Sequence, residues 1–179
     1  MKKDLEKIID VPEEVTARQD GNEIIIKGNF GENKRKFNFG DIEIKIEDRK
    51  LFLKKKKANK KDKKNLNSIG AHIRNMIRGV SKPYEYSLEI CSVHFPMTVR
   101  IDKNKMAIKN FIGERKERIV NILPGVEIEI KGNHILVKSC DKEKAGLQAT
   151  LIEHASKISG KDRRVFQDGI WIVKKEKGK

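Results

Sequence analysis

The chain has 179 residues, with 41 Lys and Arg against 26 Asp and Glu and a formal net charge of +15. That length suits one medium domain or two small ones, and a surplus of that sign attracts polyanions, nucleic acid first among them. No apolar run approaches the roughly 18 residues of a membrane span, and charges interrupt the stretch that follows the basic start "MKKDLEKIIDVPEEV", which excludes a signal-peptide pattern.

In chain order, "VPEEVTARQDGNEIIIKG" (residues 11–28) and "DIEIKIEDRKLFLKK" (residues 41–55) each read as two alternating runs split by a polar turn, so each predicts a pair of strands. Ile42, Ile44 and Ile46 share one face. The run "KKKKANKKDKK" (residues 54–64) reads as a loop between hairpin and helix. Leu66, Ile69, Ile73, Met76, Ile77 and Val80 then follow helical spacing, with Asn65 as the expected N-cap and Gly79 as the expected stop. "YEYSLEICSV" (residues 84–93) predicts a strand closing the first half, and the boundary is expected near Ser92.

The second half repeats this order. "FPMTVRIDKNKMAIKN" and "GVEIEIKGNHILVKS" predict strand pairs, the second with Val126, Ile128 and Ile130 on one face. Leu147, Leu151, Ile152, Ala155 and Ile158 predict a helix capped by Asp141 and closed by Gly160, and "GIWIVKK" predicts a last strand. The repeat is visible residue by residue in "IKGNFGENKRKF" and "IKNFIGERKER", where Ile26 aligns with Ile108, Gly31 with Gly113, Glu32 with Glu114 and Lys34 with Lys116. The expected architecture is therefore α+β. It has two tandem copies of a small domain, residues 1–92 and 93–179, each a mainly antiparallel sheet packed with one helix. Residues 1–92 carry 22 basic and 15 acidic groups and residues 93–179 carry 19 and 11, so the basic surplus belongs to both halves.

Catalysis finds little support. His72, His94, His134 and His154 fall in no metal-ligand spacing, and no paired carboxylates or nucleophile motif stand out. Cys91 and Cys140 form no CxxC and read as reduced core thiols of a cytosolic protein. The binding signals are basic ones. Lys54, Lys55, Lys56, Lys57, Lys60, Lys61, Lys63 and Lys64 form either a solvated charge run or a phosphate-binding loop. Gly113, beside Arg115 and Lys116, permits either a tight turn or the close approach of an RNA backbone. "GKDRRVFQDGIWIV" (residues 160–173) places Lys161, Arg163 and Arg164 in a turn after a helix, for RNA contact or for ion pairs with Asp162 or Asp168. Phe166 and Trp171 read as core packing, and Lys174 and Lys175 extend the basic set along the last strand.

Three stretches, "SLEICSVHFPMTVRI", "IKNFIGERKERIVNILPGV" and "GKDRRVFQDGIWIV", resemble the large-subunit ribosomal protein L-six family in its archaeal and eukaryotic branch, called L-nine in eukaryotes. The resemblance covers nearly the whole chain and is strongest from about residue 84, with Gln148, Lys161, Arg164, Phe166, Asp168, Gly169 and Ile170 at the family's spacing. Trp171 stands where the family usually has tyrosine, and the lysine run is an elaboration. The resemblance implies a duplicated α+β domain and large-subunit ribosomal RNA as the partner, bound chiefly through the second domain. It implies a position near the sarcin-ricin loop, where translational GTPases dock, with neighbouring large-subunit ribosomal proteins alongside. It implies a cytoplasmic, ribosome-bound protein with no catalysis, cofactor, metal, membrane or small-molecule substrate. The alternatives are a free RNA-binding regulator and an RNA-processing enzyme with a basic surface.

Overall fold

The computed structural model describes residues 3–47, 49–162 and 164–175. The chain divides into two compact units, Met1–Pro83 and Tyr84–Lys179. Unit 1 contains β1 (Lys3–Asp10), β2 (Thr16–Asp20), β3 (Glu23–Gly28), β4 (Gly31–Lys36), β5 (Glu43–Glu47), β6 (Lys50–Ala58) and α1 (Lys60–Ser81). Unit 2 contains β7 (Tyr84–Cys91), β8 (Thr98–Asp102), β9 (Lys105–Lys109), a 3-10 turn (Phe111–Gly113), β10 (Arg118–Asn121), β11 (Glu127–Lys131), β12 (His134–Ser139), α2 (Lys142–Ala155) and β13 (Gly169–Lys175).

The α+β reading holds, with two small antiparallel sheets in each unit. Unit 1 has the orders β1-β6-β5 and β2-β3-β4, and unit 2 has β10-β9-β8 and β11-β12-β7-β13. Period-2 alternation decides which strand faces are buried. Ile24 and Ile26 of β3 and Leu51 and Leu53 of β6 are fully buried, and α1 meets them with Leu66, Ile69, Ile73, Met76 and Val80. In unit 2 the matching core joins Leu88, Met106, Ile108, Ile135, Val137 and Ile170 to Ala149 and Ile152 of α2. Gly28 is required by packing. A Cβ there would lie 2.9 Å from the Val80 carbonyl oxygen, where the end of β3 meets the last turn of α1.

The boundary lies at Pro83, earlier than the expected Ser92. The strand read as the end of the first half is β7, and it sits inside the sheet of unit 2, with Leu88 opposite both Ile135 and Ile172. Each copy opens with its own long strand, β1 in unit 1 and β7 in unit 2, and β13 is an addition to the second copy. The reading placed β7 after the first helix because sequence order does not say which sheet a strand joins.

The lysine run is strand and helix, not loop. Lys54 to Lys57 continue β6 because β1 supplies partners as far as Lys3 opposite Ala58. A bulge takes up one extra residue there: Lys57 turns to φ 50 and donates its N–H to the Asp4 carboxylate at 2.7 Å. Lys54 pairs with Glu6 and Lys55 with Asp41, while Lys56 and Lys57 are exposed. Helix α1 starts six residues before the expected site. Asn59 is the cap: its side chain accepts from the amides of Lys61 and Asp62, and the Asp62 carboxylate accepts from the Asn59 N–H. Asn65 lies within the helix. Gly79 is also internal; α1 ends at Ser81 because Pro83 forces Lys82 into an extended conformation. Asp141 caps α2 as expected, but α2 stops at Ala155, before Gly160.

This strand assignment makes a testable distinction between two fragments. Residues 84–179 should unfold in one cooperative urea transition. Residues 93–179, lacking β7 between β12 and β13, should show no cooperative transition. Cooperative unfolding of the shorter fragment would place its core elsewhere.

Candidate nucleic-acid interface

Three loops of unit 2 are tied together by specific contacts. The first (residues 92–97) follows β7, the second (110–117) joins β9 to β10, and the third (156–168) joins α2 to β13. Asp168 holds the first loop to the third. Its side chain is almost fully buried, and one carboxylate oxygen accepts the amides of Val93 at 2.7 Å and His94 at 3.0 Å. The other lies 2.6 Å from His94 Nδ1. Burial pushes the Asp168 carboxyl up, but the two amides and the His94 ring outweigh it and hold the group below its ordinary range.

The same contact builds an aromatic and cationic surface. The His94 ring stacks on Phe166 with centroids 4.7 Å apart, and the Lys161 ammonium lies 4.3 Å from the Phe166 centroid. Phe95 is 45% exposed. It lies against the second loop, where a Cβ on Gly113 would come within 3.5 Å of it. Gly113 has φ +74, so its backbone also favours glycine. Asn110 donates from Nδ2 to the Pro96 carbonyl at 3.0 Å, and Asn110 and Ile112 are both left-handed. The turn reading of Gly113 is therefore observed.

Arg118 fixes the second loop to the end of α2. Its Nη1 donates to the carbonyls of Ala155 and Lys157, and its guanidinium lies 4.1 Å from the centroid of the buried Phe111 ring. Nε and Nη2 donate to the two oxygens of Glu114, which holds that carboxyl below its ordinary range. With Glu114 engaged in this way, Arg115 and Lys116 stand exposed beside it. The local fold differs between the copies at this point. The sequence that forms β4 in unit 1 aligns with residues 113–118, yet all but Arg118 of this stretch lies outside β10.

The expected residues thus fall into separate groups. Lys161, Arg164, Gly113, Arg115 and Lys116 lie on the three loops. Lys174 is exposed on β13 past a bulge, and the backbone of Lys175 pairs with Tyr86. Arg163 and the Lys175 side chain lie outside the described residues. The eight lysines belong to unit 1. Arg164 pairs with Asp162 at 3.0 Å while its own side chain is 90% exposed, so the ion-pair reading holds for Arg164 in the isolated chain. Such an exposed pair is readily exchanged for a phosphate. Trp171 is not in the core; it is half-buried on the sheet face opposite Ile170 and Ile172, and its Nε1–H donates to the Gln167 carbonyl at 3.1 Å. Sequence reasoning missed the roles of His94 and Phe95 and offered Asp168 as an ion-pair partner for the arginines, because 74 positions separate the two ends of the clamp. Among the described residues, no group of three or more His, Cys, Asp or Glu is placed to hold a metal.

A family model described as "Ribosomal protein L6" matches residues 11–83 and again residues 95–169. The chain is 44% identical to the large ribosomal subunit protein uL6 of Sulfurisphaera tokodaii, across 94% of this chain and 91% of that one. It is 43% identical to the protein of the same description from Saccharolobus solfataricus, across 96% of both chains. It is 38% identical to the one from Methanobrevibacter smithii, across 94% of both.

The clamp has a pH signature. The Asp168 carboxylate is favoured by folding, so its contribution is complete above the unfolded value near 3.8 and is lost as pH falls through the lower folded value. Asp168→Asn should cost roughly 1.5–3 kcal/mol at pH 7, the scale of hydrogen bonds to a charged group. The gap between wild type and variant should begin to narrow below about pH 4 and shrink further as pH falls toward the lower folded value. Urea unfolding at pH 7 and pH 3 measures both, and a gap that does not change with pH would remove the carboxylate from this role.

Proposed function

The chain belongs to the ribosomal protein L6 family, structural and non-enzymatic constituents of the large ribosomal subunit, and on that premise we propose that the three clamped loops of unit 2 are its principal contact with ribosomal RNA. The observation that carries this reading is the convergence of Phe95, Phe166 and Lys161 on the His94–Asp168 clamp, with Arg115, Lys116 and Arg164 exposed on the same loops. Aromatic rings can stack on unpaired bases and guanidinium groups can fork onto phosphates, while lysines neutralise the backbone. The role is to hold RNA elements in a fixed geometry near the sarcin-ricin loop and the translation-factor site, with other large-subunit proteins alongside. Family membership sets aside the RNA-processing enzyme.

Unit 1 contributes through the lysine run. Lys54 and Lys55 already have carboxylate partners, so the other six lysines are the better phosphate ligands. These contacts are sequence-blind and release counterions.

Replacing Lys161, Arg163 and Arg164 with alanine should lower rRNA affinity and incorporation into large subunits more than any set of three cations changed in unit 1. Wild-type incorporation by a folded variant would contradict the assignment. A second experiment converts all eight lysines of the run to glutamine and titrates rRNA binding across salt. If about half engage phosphates, the slope of log affinity against log salt flattens by roughly three units. An unchanged slope would mark the run as a solvated charge surface.

A further inference from the structure

The two helices occupy matching places in two copies of one fold, yet their charges differ. Helix α1 carries Lys60, Lys61, Lys63, Lys64, Arg74 and Arg78 against Asp62 alone, whereas α2 has two lysines and two glutamates. Folding therefore does not demand a basic helix. Lysines in the first turns of α1 also oppose the positive end of the helix dipole. The single carboxylate of α1 is committed to the cap.

The polar residues of α1 form a line. Lys60, Lys63, Lys64, Asn67 and Arg74 are exposed, and spacings of three, four and seven place them on one face. The distance from Lys60 to Arg74 is about 21 Å along the axis. Strand β1 adds a cation to this line. The Lys7 side chain crosses α1 at Gly70, where a Cβ would lie 2.9 Å from its Cδ and Cε, and its ammonium donates to Asn67 Oδ1 at 3.0 Å. Burial and the neighbouring Arg74 both push the Lys7 ammonium below its ordinary range. Among the described residues, neither Lys7 nor Arg74 has a carboxylate partner. Gly70 thus admits a second cation beside Arg74 at the cost of repulsion, and an anion seated there would relieve it.

We propose that this face of α1, with Lys7, Asn67 and Arg74 at its inner end, is a second ribosomal RNA contact that follows a run of backbone phosphates. The proposal rests on the RNA-binding reading above and adds Lys7, Asn67 and Arg74 to the lysines of unit 1 named there. It extends the lysine run into a defined surface. Asn67 and the ammonium of Lys7 give the inner end a fixed donor geometry, which a flexible lysine tail lacks.

The test uses the full chain and protein-free large-subunit rRNA. Lys7→Met combined with Arg74→Gln keeps the aliphatic packing on Gly70 and removes two charges. The slope of log affinity against log salt should fall by roughly 1.4–1.8 units, with affinity lowered several-fold at physiological salt. An unchanged slope overturns the proposal. If the variant altered at Lys161, Arg163 and Arg164 loses binding in the same assay, only this inference fails; if both variants bind as wild type, the unit 2 reading fails as well. A second measurement avoids any change to the cations. A photo-crosslinking residue at exposed position 71, on the same face, should join to rRNA in assembled large subunits. Crosslinks to protein alone, or none, would overturn the proposal.

Discussion

The three-loop surface of unit 2 depends on a buried anion. Asp168 sits where β13 begins and accepts hydrogen bonds from the backbone and ring of a loop that follows β7. An ionised carboxylate is costly to bury unless its oxygens are satisfied, and here each oxygen has a donor or a ring nitrogen within bonding distance. Once that geometry is set, the positions of Phe166, Lys161 and Phe95 follow from it. The strongly basic protein thus shapes its cationic surface with a negative charge, and Glu114 plays a similar part by fixing Arg118 in the adjoining loop.

The two copies share their packing and differ in what they expose. Both bury alternating aliphatic residues under one helix. Unit 1 keeps the residues after β3 in a hairpin closed by a two-residue turn, whereas unit 2 releases the matching residues into a loop bearing Arg115 and Lys116. Duplication supplied one core twice and left the surfaces to diverge. Exposed Leu147 and Leu151 on α2, opposed to the basic line on α1, show how far that divergence went.

Sequence periodicity was enough to read the hairpins, the apolar face of α1 and the Asp141 cap, because each is determined within a few residues. The face expected for α2 was wrong: Leu147 and Leu151 are exposed, Ile158 lies past the helix, and Ala145, Gln148, Ala149 and Ile152 are the buried residues. The start of α1 was misread because eight lysines hide the alternation of β6 and because Asn59, six residues before the rival Asn65, is recognisable as a cap only through Asp62 three positions on. Strand β7 was given to the wrong unit because its partners, β12 and β13, are distant in sequence. The basic residues of the interface were legible as types and spacings. What unites them, the contact between His94 and Asp168, carries no local pattern, and neither does the passage of Lys7 over Gly70.

Strand order has a consequence for the timing of synthesis. Unit 1 holds β1, β6 and α1 within its first 83 residues, so it can fold while the rest of the chain is still being made. Unit 2 cannot. Until β13 emerges, β7 presents an open strand edge, and Asp168 is not yet there to arrange the loop at His94. A chain interrupted before that point carries a finished first unit joined to a sheet with an unpaired side, the kind of surface that invites association and draws chaperones and proteases. The surface of three clamped loops is therefore the last part of the protein to form, and it distinguishes a completed chain from a fragment.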